Sequence, residues 1–271
     1  MDEDNRITVI VTDNRKNPLE DENVTVKGDM GQNASGKTDE NGELTVPAVT
    51  VTERHTAYIV GFPDGTFGPN KNMTRSEAAA IFARLLAAKN GDTLQEYGSY
   101  TTKFTDVPAN AWYASSVKYL TRYGVTFGCG NNLFAPERPI TRAEFTAMAV
   151  RFFDVYGDGD AEIIEKYAEF TDVSEGYWAA KYIKDAAIHG WVFGYGDGTF
   201  GAEKSITRAE VVTLVNRLLG WNADKSYVDK NIRKLTTFSD MTENNHWAYY
   251  AVMEAANTHT ATIDGSEIWS K

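Results

Sequence analysis

Over residues 1–53 apolar and polar positions alternate with period two: ITVIV at 7–11, VTV at 24–26 and ELTVPAVTV at 43–51 interleave Thr with Val and Ile. Such alternation of β-branched residues predicts strands with two unlike faces. Turn signals separate them: Asp13-Asn14, the glycine-rich stretch from Gly28 to Gly36, and the hairpin-type dipeptide Asn41-Gly42. A small antiparallel β module is expected over 1–53.

Beyond residue 53 the period becomes helical. In ITRAEFTAMAVRFF, Phe145, Met148, Ala149 and Phe152 form an i, i+3, i+4, i+7 stripe. Thr141 and Glu144 have the spacing of a capping box, and Ile140 and Phe145 that of a hydrophobic staple. Thr74/Glu77 and Thr207/Glu210 repeat the box, and Ile206/Val211 repeats the staple. A second helical pattern follows each tryptophan, as in Ala179, Tyr182, Ile183 and Ala186, with Asp172 as its expected N-cap.

These patterns belong to an internal repeat. Three loops align, GFPDGTFGPNKNMTRSE from Gly61, GCGNNLFAPERPITRAE from Gly128 and GYGDGTFGAEKSITRAE from Gly194. Three tryptophan segments align as well: FTDVPANAWYASSVKYL from Phe104, FTDVSEGYWAAKYIKDA from Phe170 and FSDMTENNHWAYYAVMEA from Phe238. Two units are continuous, roughly 104–153 and 170–220, whereas the third is split into a capped-helix half, 61–88, and a tryptophan-helix half, 238–257. If the halves meet, three helix–loop–helix units close a pseudo-threefold ring, and no terminal repeat needs a cap. The expected fold is mainly α over 54–271, behind the β module.

Composition removes several function classes. The formal charge is −11, with −7 of it in residues 1–53, and no local Lys/Arg run offers a face for nucleic acid. No apolar run approaches the ~20 residues that span a bilayer, so no membrane insertion is expected. The start, MDEDNRITVIV, lacks the plan of a signal peptide, and the chain reads as part of a longer protein that continues upstream. A single cysteine, Cys129, excludes an internal disulfide and a multi-cysteine zinc site. The histidines, His55, His189, His246 and His259, are scattered without an i, i+4 pair, so no metal site or cofactor is expected. There is no G-x-S-x-G elbow or P-loop, and no carboxylate pair stands out as the acid and base of a glycosidase. GDGD at 157–160 and DENGE at 39–43 lack calcium-loop spacing and read as solvated turns.

The repeated F-[TS]-D…W segments, glycine loops and TRAE-type helix starts resemble S-layer homology modules. The resemblance covers about 54–271. Residues 1–53 resemble, more weakly, an Ig-like or transthyretin-like module of bacterial surface proteins. The resemblance implies a monomeric three-pronged helical spindle that is not an enzyme and anchors an extracellular protein at the bacterial cell wall. Its implied ligand is an acidic secondary cell wall polysaccharide, often ending in pyruvylated N-acetylmannosamine, or a modified peptidoglycan. The alternative is an S-layer lattice or adhesion scaffold working through protein–protein contacts. Departures from the pattern are Asn131-Asn132 where the other loops carry Asp64-Gly65 and Asp197-Gly198, Ser76 in place of Ala, and Ala202 in place of Pro.

Capping accounts for the Thr and Glu of each TRAE-type start but not for Arg75, Arg142 and Arg208, which sit at the positive end of a helix dipole. Free N–H groups, the dipole and a guanidinium fork together would receive a carboxylate. Truncating these arginines is therefore expected to cost binding and little stability. The alternative is that each orders its loop by pairing with an acid such as Asp64 or Asp197. Those aspartates, Gly65 and Gly198 read as tight turns, and Asp64, Asp197, Asn131, Gly65 and Gly198 are also candidates for the glycan-binding site, the polar side chains to contact sugar hydroxyls. Phe67, Phe134 and Phe200 read as core anchors. Trp112, Trp178 and Trp247 fit either core packing at helix starts or the apolar wall of a sugar groove.

Overall fold

The computed structural model describes residues 6–13, 15–27, 33–47, 51–157, 169–243, 245–263 and 267–270. The chain folds into two units, Met1–Glu53 with Ala261–Ser266, and Arg54–Thr260 with Glu267–Lys271. In the first unit β1 (Arg6–Ile10) pairs antiparallel with β4 (Glu43–Pro47), and β2 (Asn23–Lys27) with β3 (Asn33–Lys37). Asn41-Gly42 does form a tight turn. The Asp39 carboxylate accepts from the Asn41 and Glu43 amides, and Gly42 takes φ 72°. The strand that follows pairs with β1 rather than with β3, so the turn does not join a two-stranded hairpin. Residues 158–160 of the GDGD turn lie outside the described residues.

Among the described residues, six principal helices follow β5 (Val51–His55). The capped ones are α1 (Arg75–Asn90), α3 (Arg142–Tyr156) and α5 (Arg208–Leu219), each with its threonine N-cap and reciprocal glutamate in place. The tryptophan-segment helices are α2 (Ala114–Arg122), α4 (Ala180–Ile188) and, after the short α6 (Lys225–Asn231), α7 (Tyr249–Ala256). The chain then forms β6 (His259–Ile263) and β7 (Glu267–Ser270).

The tryptophan-segment helices begin two residues after the tryptophan and have no side-chain cap. Asp172 is not their N-cap, because its two carboxylate oxygens are taken elsewhere. They accept the amides of Phe200 and Gly201 at 2.6 and 2.7 Å. Asp106 holds Phe134 and Ala135 in the same way, and Asp240 holds Phe67 and Gly68. A carboxylate can bridge two successive N–H groups of a loop, and each such charge-assisted bond is stronger than a neutral one. Beneath each clip two phenylalanines meet, Phe67 with Phe238, Phe134 with Phe104 and Phe200 with Phe170, at centroid distances of 5.4, 5.6 and 5.2 Å. The loop glycines Gly61, Gly128 and Gly194 are required there, since a Cβ on any of them would lie 2.4–2.7 Å from the Phe238, Phe104 or Phe170 ring.

The Asp240 clip joins the two halves of the split repeat through 61–68 and 238–240. The helices, however, pair differently: α2 packs on α1, α4 on α3, and α7 on α5. Each tryptophan segment is therefore clipped to the loop that follows it in the ring and lays its helix on the preceding capped helix. One element thus ties two repeats together.

Asp240→Asn leaves one oxygen for two amides and sets an NH₂ against the second, which should cost about 1–3 kcal/mol. Deleting residues 238–271 should cost more, since it also uncovers α5. An unchanged midpoint and cooperativity in urea for both variants would show that the split repeat is not closed by these contacts.

Candidate functional site

The start of each capped helix inserts into the loop of the next repeat. The amides of Arg75 and Ser76 donate to the carbonyls of Arg138 and Pro136. Those of Arg142 and Ala143 reach Lys204 and Ala202, and those of Arg208 and Ala209 reach Lys71 and Pro69, closing the cycle. The N–H groups expected to receive a ligand carboxylate are thus already bound to backbone carbonyls. These serve the same dipole.

The guanidinium groups follow the same cycle. Arg75 donates from Nε to Phe134 O (2.7 Å) and from Nη2 to Phe127 O (3.1 Å). Arg142 does so to Phe200 O and Phe193 O, and Arg208 to Phe67 O and Val60 O. Their Nη1 atoms face the capping-box glutamates of the next helix, Glu144 at 3.6 Å, Glu210 at 2.8 Å and Glu77 at 3.7 Å. All three arginines are buried, at 5, 8 and 5 % exposure. Burial draws the pKa of Arg75 and Arg208 down, although a guanidinium remains charged at neutral pH. The acid partner is the neighbouring glutamate, not Asp64 or Asp197. The expectation that truncation spares stability does not fit this geometry, because removing one of these arginines leaves two loop carbonyls without their donor.

Asp64 and Asp197 are turn devices. Each carboxylate accepts the amide and hydroxyl of the threonine two residues on, Thr66 or Thr199, and these bonds lower its pKa, the hydroxyl foremost. Gly65 and Gly198 take φ near 80°, and the corresponding Asn132, with Asn131 beside it, adopts the left-handed region. Phe67, Phe134 and Phe200 are fully buried, as expected of core anchors.

The tryptophans are not core residues: Trp112, Trp178 and Trp247 are 62, 54 and 67 % exposed. Trp112 lines a cavity of about 580 Å³ with Val60, Phe62, Glu77, Arg84 and Arg208. Trp247 lines one of about 190 Å³ with Phe193, Tyr195, Glu210, Arg217 and Arg142. Each of these grooves contains a second arginine that sequence reasoning missed. Arg84, Arg151 and Arg217 stand seven residues after the capping-box glutamate, on the same face of α1, α3 and α5. Arg84 and Arg217 are exposed, and partial desolvation by the groove walls lowers their pKa. Arg151 lies 5.1 Å from the Phe127 ring, and Arg217 4.7 Å from that of Phe193. Val60, Phe127 and Phe193, the apolar residues just before the loop glycines, are exposed as well. The available signal was the threefold recurrence of an arginine and an apolar residue at fixed offsets from motifs already aligned.

The scan against protein families matches the S-layer homology domain at residues 57–79, 103–146 and 169–212. The chain carries S-layer homology domains. It is 34 % identical over 240 residues to a cellulosome-anchoring protein of Acetivibrio thermocellus, covering 86 % of this chain and 49 % of that protein. It is 35 % identical over 219 residues to cell surface glycoprotein 1 of the same organism, covering 78 % of this chain and 9 % of the relative. An amylopullulanase of Thermoanaerobacterium thermosulfurigenes is 32 % identical over 169 residues, 62 % of this chain and 8 % of the enzyme. The chain thus spans half or less of the length of these relatives.

The second S-layer homology repeat departs from the others in a coupled way. Ala135 occupies a left-handed position (φ 57°) where the others have Gly68 and Gly201. A Cβ at Gly68 would lie 2.8 Å from the Phe62 ring, and one at Gly201 2.7 Å from that of Tyr195. The aligned residue in repeat 2 is the small Cys129, which leaves room. Beside it Arg138 takes Glu144 Oε1 at 2.6 Å, whereas Lys71 and Lys204 lie over Phe62 and Tyr195. Burial raises the Glu144 pKa, but the Arg138 and Thr141 hydrogen bonds outweigh it and hold the group below its ordinary value.

Cys129→Phe alone should destabilise by about 1–3 kcal/mol through overpacking. Ala135→Gly should relieve part of that loss, in addition to removing strain. A double-mutant cycle in urea that shows additive effects would refute the coupling. The lowered pKa of Glu144 and of Asp172, whose loop amides outweigh burial, sets the acid limit. Stability from both groups is present above their ordinary values of 4.5 and 3.8 and is lost as pH falls through the lower folded values. The melting temperature should be level between pH 6 and 8 and decline below about pH 4. A level profile down to pH 3 would show that these carboxylates are not perturbed.

Proposed function

We propose that the chain is a non-catalytic module that holds its parent protein at the bacterial cell surface by gripping an acidic cell wall glycan, with a pyruvylated polysaccharide as the favoured ligand. The observation that carries this reading is the threefold placement of an exposed tryptophan and an arginine pair; in two of the grooves they line one cavity. An indole face packs on the C–H face of a sugar ring, and a guanidinium fork takes a carboxylate in bidentate fashion. Arg84, Arg151 and Arg217 are the partners for such an anion. Arg142 and Arg208 set the groove floor, their Nη1 atoms turned to the capping-box glutamates. The names of the cellulosome-anchoring protein and cell surface glycoprotein support a place at the cell wall. The amylopullulanase shares only a segment equal to 8 % of its own length, as expected of an anchor attached to an enzyme rather than of the enzyme itself.

The two arginine sets separate binding from folding. Arg84→Ala and Arg217→Ala should each weaken binding of purified wall polysaccharide at their groove by about 10–100-fold with a nearly unchanged melting temperature. Trp112→Ala and Trp247→Ala should act similarly. Arg142→Ala and Arg208→Ala should instead cost about 3–5 kcal/mol of stability. Calorimetry with the polysaccharide before and after removal of its acidic substituents reads the charge term. Equal affinity for both forms, unaffected by Arg84→Ala and Arg217→Ala, would overturn the reading, and self-association lost in the tryptophan variants would favour a protein-contact scaffold.

A further inference from the structure

Where the chain enters and leaves the helical unit, three metal-ligating side chains converge. His55 ends β5, Glu254 lies on α7 and His259 opens β6. All are buried, at 2, 1 and 5 % exposure, with one ligand atom from each within 4.8 Å of the others. We propose that His55, Glu254 and His259 bind a divalent transition-metal ion, with Zn²⁺ the best match, and that this ion locks the two ends of the repeat region together. The scattered histidines gave no such expectation from sequence, because His55 lies about 200 residues from its two partners.

The geometry is that of oriented ligands. Glu254 Oε1 lies 2.9 Å from His55 Nδ1 and 3.4 Å from His259 Nε2. Tetrahedral zinc with bonds of about 2.0–2.1 Å separates neighbouring ligand atoms by about 3.3 Å. His259 Nδ1 lies 2.9 Å from the Asn257 carbonyl oxygen. A carbonyl only accepts, so Nδ1 carries a proton, and Nε2 is the ring atom turned toward the carboxylate, the place a metal ion would occupy. A backbone carbonyl on the distal ring nitrogen is also what fixes a metal-ligating histidine. Both rings are held by stacking, His55 on Trp221 at 4.1 Å and His259 on Trp269 at 3.7 Å. Two imidazoles and one carboxylate suit zinc and lack the thiolate that would select copper(I).

The test uses the full chain with Cys129→Ser, so that an exposed thiol contributes nothing. One equivalent of zinc should be retained after dialysis. EDTA should lower the melting temperature by about 5–10 °C, and added Zn²⁺ should restore it. Co²⁺ should give the visible absorption of a tetrahedral site in the same Cys129→Ser chain. His259→Gln should abolish the zinc response while binding of wall polysaccharide persists. A Cys129→Ser chain that retains no zinc, gives no cobalt band and melts identically with EDTA and with Zn²⁺ would overturn the proposal.

Discussion

The backbone of each glycine loop is the acceptor on which the helical unit depends. A helix start leaves N–H groups without intrahelical partners, and an arginine at its first position adds a charge that the dipole disfavours. Here both are resolved by the carbonyls of the following repeat, at Phe67, Phe134 and Phe200 and their neighbours. Because repeat 3 hands its helix start back to repeat 1, no repeat is terminal. The paired aspartate clips, each holding two loop amides, keep those carbonyls facing inward.

This arrangement divides one residue type between two tasks. Buried arginines join repeats, and arginines nine residues further along the same helices, about two and a half turns on and so on the opposite side, stand at the grooves. The division is what would let a chain with a net charge of −11 present the local anion sites proposed above. The groove arginines stand over rings rather than within a basic surface, so the glycan recognition proposed for them would be short-ranged and screened little by salt.

Repeat 2 shows that the loop tolerates substitution only in concert. Cys129 and Ala135 depart from the pattern together because the missing ring makes room for the extra methyl, and Arg138 turns to Glu144 where the other repeats lay a lysine over the ring. The threefold frame survives, while the loop that receives Arg75 carries a cysteine and an Arg138–Glu144 pair where the other two carry an aromatic ring under a lysine.

The capped helices, their threonine and glutamate devices, the buried loop phenylalanines and the three repeats were legible in the sequence, since each rests on short-range spacing and threefold recurrence. The role of Arg75, Arg142 and Arg208 was not, because their partners are carbonyls 50 to 150 residues away, and backbone atoms leave no mark in a sequence. For the same reason Asp172 passed for a helix cap. The tryptophans stayed ambiguous because an aromatic at a helix start reads alike whether it faces core or solvent. His55, Glu254 and His259 come from segments joined only when the ring closes. Local pattern determined which elements form, and the cyclic hand-over between repeats decided which side chains are consumed by the fold and which are left at its surface.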